Sequence, residues 1–180
     1  KVLISSGIYA GEFCTKESFQ YLRENYPSIL VTVFACDEEE IARAIRQPYV
    51  FISSNAADGP HYDSVGHPET AGTFPKLIRK YVREEKIIGL QEAIYKITFG
   101  PAKRFNLKGK GNIKEGYDGD FVIFNYDDIA DLADYPGRGD PNAPPKGIEY
   151  VIINGDVACE NGAVKEDFHG GRYIKHHSSN

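Results

Sequence analysis

The run ILVTVFACDEEEIARAIRQPYVFISS, residues 29–54, reads as a strand, a helix and a second strand in succession. Its two ends, residues 29–34 and 49–54, are short apolar runs of the kind found in strands that are covered on both faces. The acidic segment between them favours the start of a helix, where the macrodipole attracts negative charge, and Pro48 ends that helix. The run therefore predicts a βαβ unit with parallel strands, and with it an α/β fold.

Helical patterns continue after this unit, beyond a long polar stretch at residues 55–72. Unstructured stretches of this length are uncommon and are often functional. Thr73 is expected to cap a helix that carries apolar residues on one face. Gly89 is expected to precede a second amphipathic helix, which Pro101 ends.

The pattern changes to short strands from Leu107 onward. A short strand is expected around Ile113, and two Asn-Gly pairs, at residues 154–155 and 161–162, predict β-hairpins. Residues 134–147 are rich in Pro, Asp and Gly, which favours a loop that makes an excursion over the surface.

Composition limits the possible partners. The 180 residues contain 21 Lys and Arg against 26 Asp and Glu, which gives a formal net charge of −5. This mild acidic balance predicts no nucleic-acid partner, and the lack of a long apolar run predicts no membrane partner.

The three cysteines have no Cys-x-x-Cys spacing, which favours structural thiols in a reducing cytoplasm. Because the chain has no methionine, we expect it to be a piece of a longer protein.

Asp58 is the first candidate for chemistry. It lies in the stretch SSNAADGPH, residues 53–61, which leaves the second predicted strand. Catalytic groups in α/β folds gather at the carboxyl ends of strands, so an acid at this point is well placed. Asp-Gly-Pro is also a common turn sequence, and spacing alone leaves that alternative open.

The order of the following motifs resembles a known family. Asp-Gly at residues 58–59, His-Pro at 67–68 and Gly-Thr-Phe-Pro at 72–75 are similar to the C-terminal part of the N-acyl-D-amino-acid deacylases, or D-aminoacylases, of the amidohydrolase superfamily. The resemblance covers about residues 32–174, although Gly119 stands where the superfamily usually has Ala. Further matching segments are TFGPAKRF (98–105), GNIKEGYDGDFVI (111–123), VIING (151–155) and GRYI (171–174).

The resemblance implies a specific architecture. Residues 1–106 would form the last two β/α units of a TIM-barrel hydrolase, and residues 107–180 the C-terminal part of a small β-sandwich. The remaining barrel strands would come from outside this chain. The implied protein partner is therefore the missing N-terminal part of the same enzyme or a second copy of the chain, because two strands of eight cannot close a barrel.

The resemblance also implies an activity, the hydrolysis of a linear, non-peptide amide C–N bond in an N-acyl-D-amino acid or a related small acyl-amide. A zinc-activated water carries out this reaction in the family. Asp58 matches the position that binds the metal and shuttles the proton. The other metal ligands of the family lie on earlier barrel strands, so zinc is expected in the complete enzyme, none is expected on this chain alone, and the chain alone is expected to be inactive.

Three further residues are implied in substrate binding, namely Gly59, His67 and Glu69. Family members commonly carry Arg after His-Pro, where a guanidinium can hold the substrate carboxylate with two hydrogen bonds. Glu69 would repel such a carboxylate. Either another basic residue compensates, or the substrate presents an amine or a neutral group, or Glu69 faces solvent and has no such role.

A second class of function fits the same residues. The chain could be a self-standing binding or structural module that has this architecture without catalysis. A longer encoded chain with an upstream His-x-His motif would favour the hydrolase, and a genuine start at Lys1 with a well-folded, zinc-free monomer would favour the module.

Overall fold

The computed structural model describes residues 1–54 and 67–174, and it has the α/β character that the sequence predicts. Within these ranges the helices are α1 (Lys16–Asn25), α2 (Glu38–Arg46), α3 (Glu69–Lys76), α4 (Leu90–Ile97) and α5 (Phe99–Arg104). The strands are β1 (Val2–Ile4), β2 (Val31–Val33), β3 (Phe121–Phe124), β4 (Ile148–Ile153), β5 (Asp156–Glu160) and β6 (Ala163–Val164). None of the described helices is long and apolar enough to cross a membrane.

The first sheet differs from the predicted parallel unit. Strand β2 pairs antiparallel with β1, and Val2 lies opposite Val33. Residues 49–54, expected as the second parallel strand, form no strand. A strand needs the backbone of another strand beside it, and this segment bonds to helix α4 instead. Lys96 Nζ donates to the Val50 carbonyl at 3.1 Å, and the Ile52 amide donates to the Lys96 carbonyl at 3.4 Å.

Strand β2 is less covered than the sequence predicts. Val31 and Val33 are 37% and 61% exposed, and the flanking Leu30 and Phe34 are 46% and 41% exposed. Apolar side chains in a run of this kind are normally buried on both faces. In the described part of the chain β1 is the only strand beside it, so the expected burial is absent here.

The helix between these segments forms as predicted. Asp37 caps α2 by accepting the Glu40 amide at 2.8 Å, and the Glu40 carboxylate accepts the Asp37 amide at 3.0 Å. This reciprocal capping box satisfies two backbone donors at the helix start. The inner face of α2 enters a core that also includes Ile129, from the segment after β3. The buried members of this core are Ile45, Leu77, Ile78, Tyr81, Val82, Ile88, Ala93 and Ile129.

Two helix boundaries differ from expectation. Helix α3 begins at Glu69 rather than Thr73, whose hydroxyl instead donates to the Glu69 carbonyl one turn earlier, at 2.8 Å. The helix then continues through the π-helical segment Leu77–Glu84. The break after α4 falls at Thr98 rather than Pro101, because proline is tolerated in the first turn of α5.

The second sheet has four antiparallel strands in the order β3-β4-β5-β6. Both predicted Asn-Gly hairpins form, with φ of 52° and 91° at Asn154 and Gly155 and of 49° and 81° at Asn161 and Gly162. These positive values are those of the turn that matches the twist of paired strands. The strand expected around Ile113 does not form, and that side chain is 84% exposed in a series of turns.

Candidate active site

The candidate site lies where residues 49–54 end and helix α3 begins. The Ser54 hydroxyl donates to the Glu69 carbonyl at 3.0 Å, which ties the end of the apolar segment to the first turn of α3. The predicted residues Asp58 and Gly59 lie outside the described residues. The structure therefore places His67 and Glu69 of the predicted set, and it brings these two together.

His67 lies just before α3, whose N-cap is Pro68. The Glu69 amide, at the first helical position, donates to His67 Nδ1 at 3.2 Å. Because Nδ1 accepts this hydrogen bond, the neutral ring carries its proton on Nε2. His67 Nε2–H is therefore a hydrogen-bond donor. In this tautomer Nε2 has no free lone pair with which to bind a metal ion.

Glu69 lies in the first turn of α3, where the helix dipole favours an acid. Its side chain is 34% exposed, and Oε1 lies 3.6 Å from His67 Nδ1. Burial raises the pKa of the Tyr135 phenol, and the negative charges of Asp134 and Glu69 raise it further. The Glu69 carboxylate is therefore close enough to Tyr135 to act on it and is not simply turned to bulk solvent.

Tyr135 is a site residue that the sequence reasoning missed. Its ring lies edge-on to His67, with centroids 5.2 Å apart and planes at 87°, and edge-on to Phe34 at 5.4 Å. Residues 134–147, expected as a surface excursion, instead begin by packing on the candidate site. The signal that could have found Tyr135 is an aromatic residue inside a stretch of turn formers, since an apolar ring in such a loop needs a surface to cover it.

A close backbone approach holds this loop in place. Gly137 has φ of 77°, and a Cβ atom there would lie 2.0 Å from the Ala10 carbonyl oxygen. Only glycine tolerates both the left-handed backbone and this contact. The loop is thereby fixed against the segment between β1 and α1, and it carries Tyr135 against His67.

The described residues do not form a metal centre. Within residues 1–54 and 67–174, no group of three His, Cys, Asp or Glu side chains could hold a metal ion. His67 uses Nδ1 for the amide of Glu69, as described above. The described side chains bring together an imidazole, a phenol whose pKa is raised and a carboxylate, which are groups that can bind and position a polar ligand.

Comparison with known proteins identifies related sequences. The amidohydrolase family matches residues 52–158. The N-acyl-D-glutamate deacylase of Alcaligenes xylosoxydans xylosoxydans is 34% identical over 122 residues, which are 68% of this chain and 24% of that protein. The D-aminoacylase of the same organism is 32% identical over 141 residues, which are 78% of this chain and 28% of that protein.

Comparison with solved structures also finds D-aminoacylases. A D-aminoacylase crystal structure, described for the role of its binuclear metal centre, superposes with a TM-score of 0.80 at 26% identity. The match covers 95% of this chain and 37% of that chain. The chain thus spans about a quarter of the curated relatives and somewhat over a third of the solved structure.

Proposed function

Because the chain belongs to the amidohydrolase family, we propose that it is the C-terminal part of a metal-dependent hydrolase that cleaves the amide C–N bond of an N-acyl-D-amino acid or a related small acyl-amide. The observation that carries the proposal is the family match over residues 52–158, together with the two deacylases to which the chain is similar. The match includes the segment that follows the apolar run 49–54, where catalytic groups of α/β folds gather.

The proposed architecture is the one that the resemblance implies. Residues 1–106 supply the last two β/α units of a TIM barrel, and residues 107–180 supply part of a β-sandwich. The exposure of Val31, Val33 and Phe34 supports this, because a barrel strand that lacks its neighbours presents apolar side chains to solvent. The proposed partner is the N-terminal part of the same enzyme, which would cover this face, with a second copy of the chain as the alternative.

The proposed chemistry assigns Asp58 as the carboxylate that takes a proton from the attacking water and returns it to the leaving nitrogen. His67 Nε2–H and the Tyr135 phenol, whose pKa is raised, are proposed to hold polar groups of the substrate, and their edge-on ring contact supports a shared role. Gly59 and Glu69 complete the proposed substrate-binding residues. A zinc ion in the complete enzyme would polarise the acyl carbonyl and lower the pKa of its bound water, with Asp58 as one ligand and the others outside the described residues.

A cytoplasmic location is part of the proposal and is supported by the cysteine usage.

The test is an amine-release assay on the complete protein. Metal-loaded enzyme is expected to release free amino acid from a panel of N-acetyl-D-amino acids and to lose this activity after dialysis against a chelator. The L-amino-acid derivatives serve as the matched control panel. If the folded, metal-loaded protein hydrolyses neither panel, the proposal fails and the non-catalytic binding module is the better description.

A further inference from the structure

Two cations flank a single aromatic ring beside the candidate site. The Arg138 guanidinium carbon lies 5.4 Å from the centroid of the Phe13 ring, and Lys1 Nζ lies 5.8 Å from the same centroid. Phe13 packs against Phe34, with ring centroids 6.2 Å apart, and Phe34 packs against Tyr135. The two cations therefore lie at the rim of the aromatic cluster that contains His67.

Among the described residues, no ion pair involves Arg138 or Lys1. The acids nearest to Arg138 in sequence serve backbone turns instead. Asp134 Oδ1 accepts the Tyr135 amide at 2.7 Å, and Asp140 Oδ1 accepts the Asn142 amide at 2.8 Å. Within residues 1–54 and 67–174, no carboxylate therefore occupies the hydrogen-bond donors of the guanidinium.

A short turn fixes the position of Arg138. Its amide donates to the Tyr135 carbonyl at 2.9 Å, which closes a β-turn whose two ends lie within about 7 Å of each other. Gly137 within this turn is held against Ala10. Because Tyr135 contacts His67 directly, the turn holds Arg138 three residues from a ring of the candidate site.

We infer that Arg138, aided by the positive charge of Lys1, binds the carboxylate of the substrate amino acid. The inference rests on the proposed function and names the basic residue that compensates for Glu69. A guanidinium holds a carboxylate with two parallel hydrogen bonds, which fixes orientation as well as charge. Glu69 repels the same carboxylate and so favours its binding to Arg138.

The experiment uses the complete enzyme and two substrates that differ in one group, an N-acetyl-D-amino acid and its neutral carboxamide. Arg138→Met is expected to raise KM for the acid about 10- to 100-fold, as the loss of a charge-assisted hydrogen bond does, with kcat little changed. KM for the carboxamide is expected to stay within about twofold, since that substrate carries no charge for Arg138 to bind.

Two further variants test the roles of the charges. Arg138→Lys should recover part of the loss in KM for the acid, and Lys1→Gln should give a smaller increase in that KM with the same selectivity. Arg104→Met, at an exposed arginine on α5, is the matched control and should change neither value.

The other possible results of these assays contradict either the inference or the proposed function. Equal losses on both substrates would assign Arg138 a structural role, and no loss on either would remove it from binding; both results overturn the inference. A wild-type enzyme that cleaves the carboxamide but not the acid also overturns it, while the proposed function stands. A wild-type enzyme that cleaves neither contradicts the proposed function and, with it, the carboxylate site.

Discussion

The ring of Tyr135 lies edge-on to that of His67, with centroids 5.2 Å apart and planes at 87°. His67 begins helix α3, whereas Tyr135 lies in the connection between β3 and β4. The contact therefore joins the predicted barrel part of the chain to the predicted sandwich part at the candidate site. It makes the geometry of that site depend on a residue far away in sequence.

The first prediction concerns this contact. Tyr135→Ala removes the ring that packs on both His67 and Phe34, so we expect KM in the complete enzyme to rise about 10-fold, as the loss of an aromatic pair together with its buried area would produce. Tyr135→Phe keeps the ring and should stay much closer to wild type. Tyr173→Ala, at a side chain that is 86% exposed, is the control. Equal effects of Tyr135→Ala and Tyr173→Ala on KM would show that the ring does not shape the site.

Glu69 gives the second prediction. Glu69→Arg restores the residue that the deacylase family commonly carries after His-Pro, so KM for N-acetyl-D-amino acids should fall several-fold as repulsion becomes attraction. Glu69→Gln should give a smaller decrease, because it only removes the charge. The matched control is Glu24→Arg, at an exposed acid on α1. Steady-state kinetics that show no change in KM for Glu69→Arg would mean that this side chain does not act on the substrate.

Lys96 gives the third prediction. Its side chain is 1% exposed, and Nζ donates to the carbonyls of Gln47 at 2.5 Å and Val50 at 3.1 Å. Lys96→Met would keep about the length of the side chain but remove the amine from both part-buried carbonyls, of which that of Gln47 keeps the Val50 amide at 3.2 Å. We expect the free energy of unfolding to fall by about 2–4 kcal/mol.

The measurement is denaturant unfolding of the variant beside Lys103→Met, an exposed lysine on α5. That control should stay within about 0.5 kcal/mol of wild type. A Lys96 variant as stable as the control would mean that water replaces the amine at the two carbonyls.

The fourth prediction concerns acid stability. Arg172 Nη2 donates to Asp118 Oδ1 and Oδ2 at 2.5 Å and 2.6 Å, and Lys110 lies 3.0 Å from the same carboxylate. The hydrogen bond from Lys110, followed by that from Arg172, lowers the pKa of Asp118. A carboxyl group with a lowered pKa in the folded state stabilises the fold above its unfolded pKa of about 3.9 and loses that contribution as the pH falls through the folded value.

We therefore expect the thermal midpoint of wild type to drop as the pH falls below about 4, and the drop to be smaller in Asp118→Asn. Asp167→Asn, at an exposed acid, is the control and should follow wild type. If Asp118→Asn and wild type lost stability in parallel between pH 5 and 2, the ion pair between Asp118 and Arg172 would not contribute to the stability of the fold.

Local sequence signals predicted the elements that depend on local physics. Helix α2, with its acidic start, and the two Asn-Gly hairpins formed as expected, because helix starts and left-handed turns are stabilised by neighbouring residues. The cap of α3 was expected at Thr73, five residues after the observed cap, Pro68. Proline is not among the usual N-cap residues, and the Glu69 amide is bonded by the preceding His67 ring instead.

Non-local partners explain the remaining differences. An apolar run at residues 49–54 matches a buried strand, but strand formation depends on which backbone lies beside it, and here the partner is Lys96 on α4. Tyr135 could not be assigned to the site from spacing, because its contact with His67 is made across the fold. His67 and Glu69 were found only because a family resemblance marked them.

The central claim is that this chain carries the proton-transferring carboxylate of an amidohydrolase, and Asp58 tests it most directly. The measurement is kcat for N-acetyl-D-amino acid hydrolysis by the complete, metal-loaded enzyme, with Asp58→Asn compared with Asp63→Asn in the same stretch of sequence. We expect Asp58→Asn to lower kcat by about 10²- to 10⁴-fold and Asp63→Asn to stay near wild type. A folded Asp58→Asn enzyme that retained wild-type kcat would contradict the account.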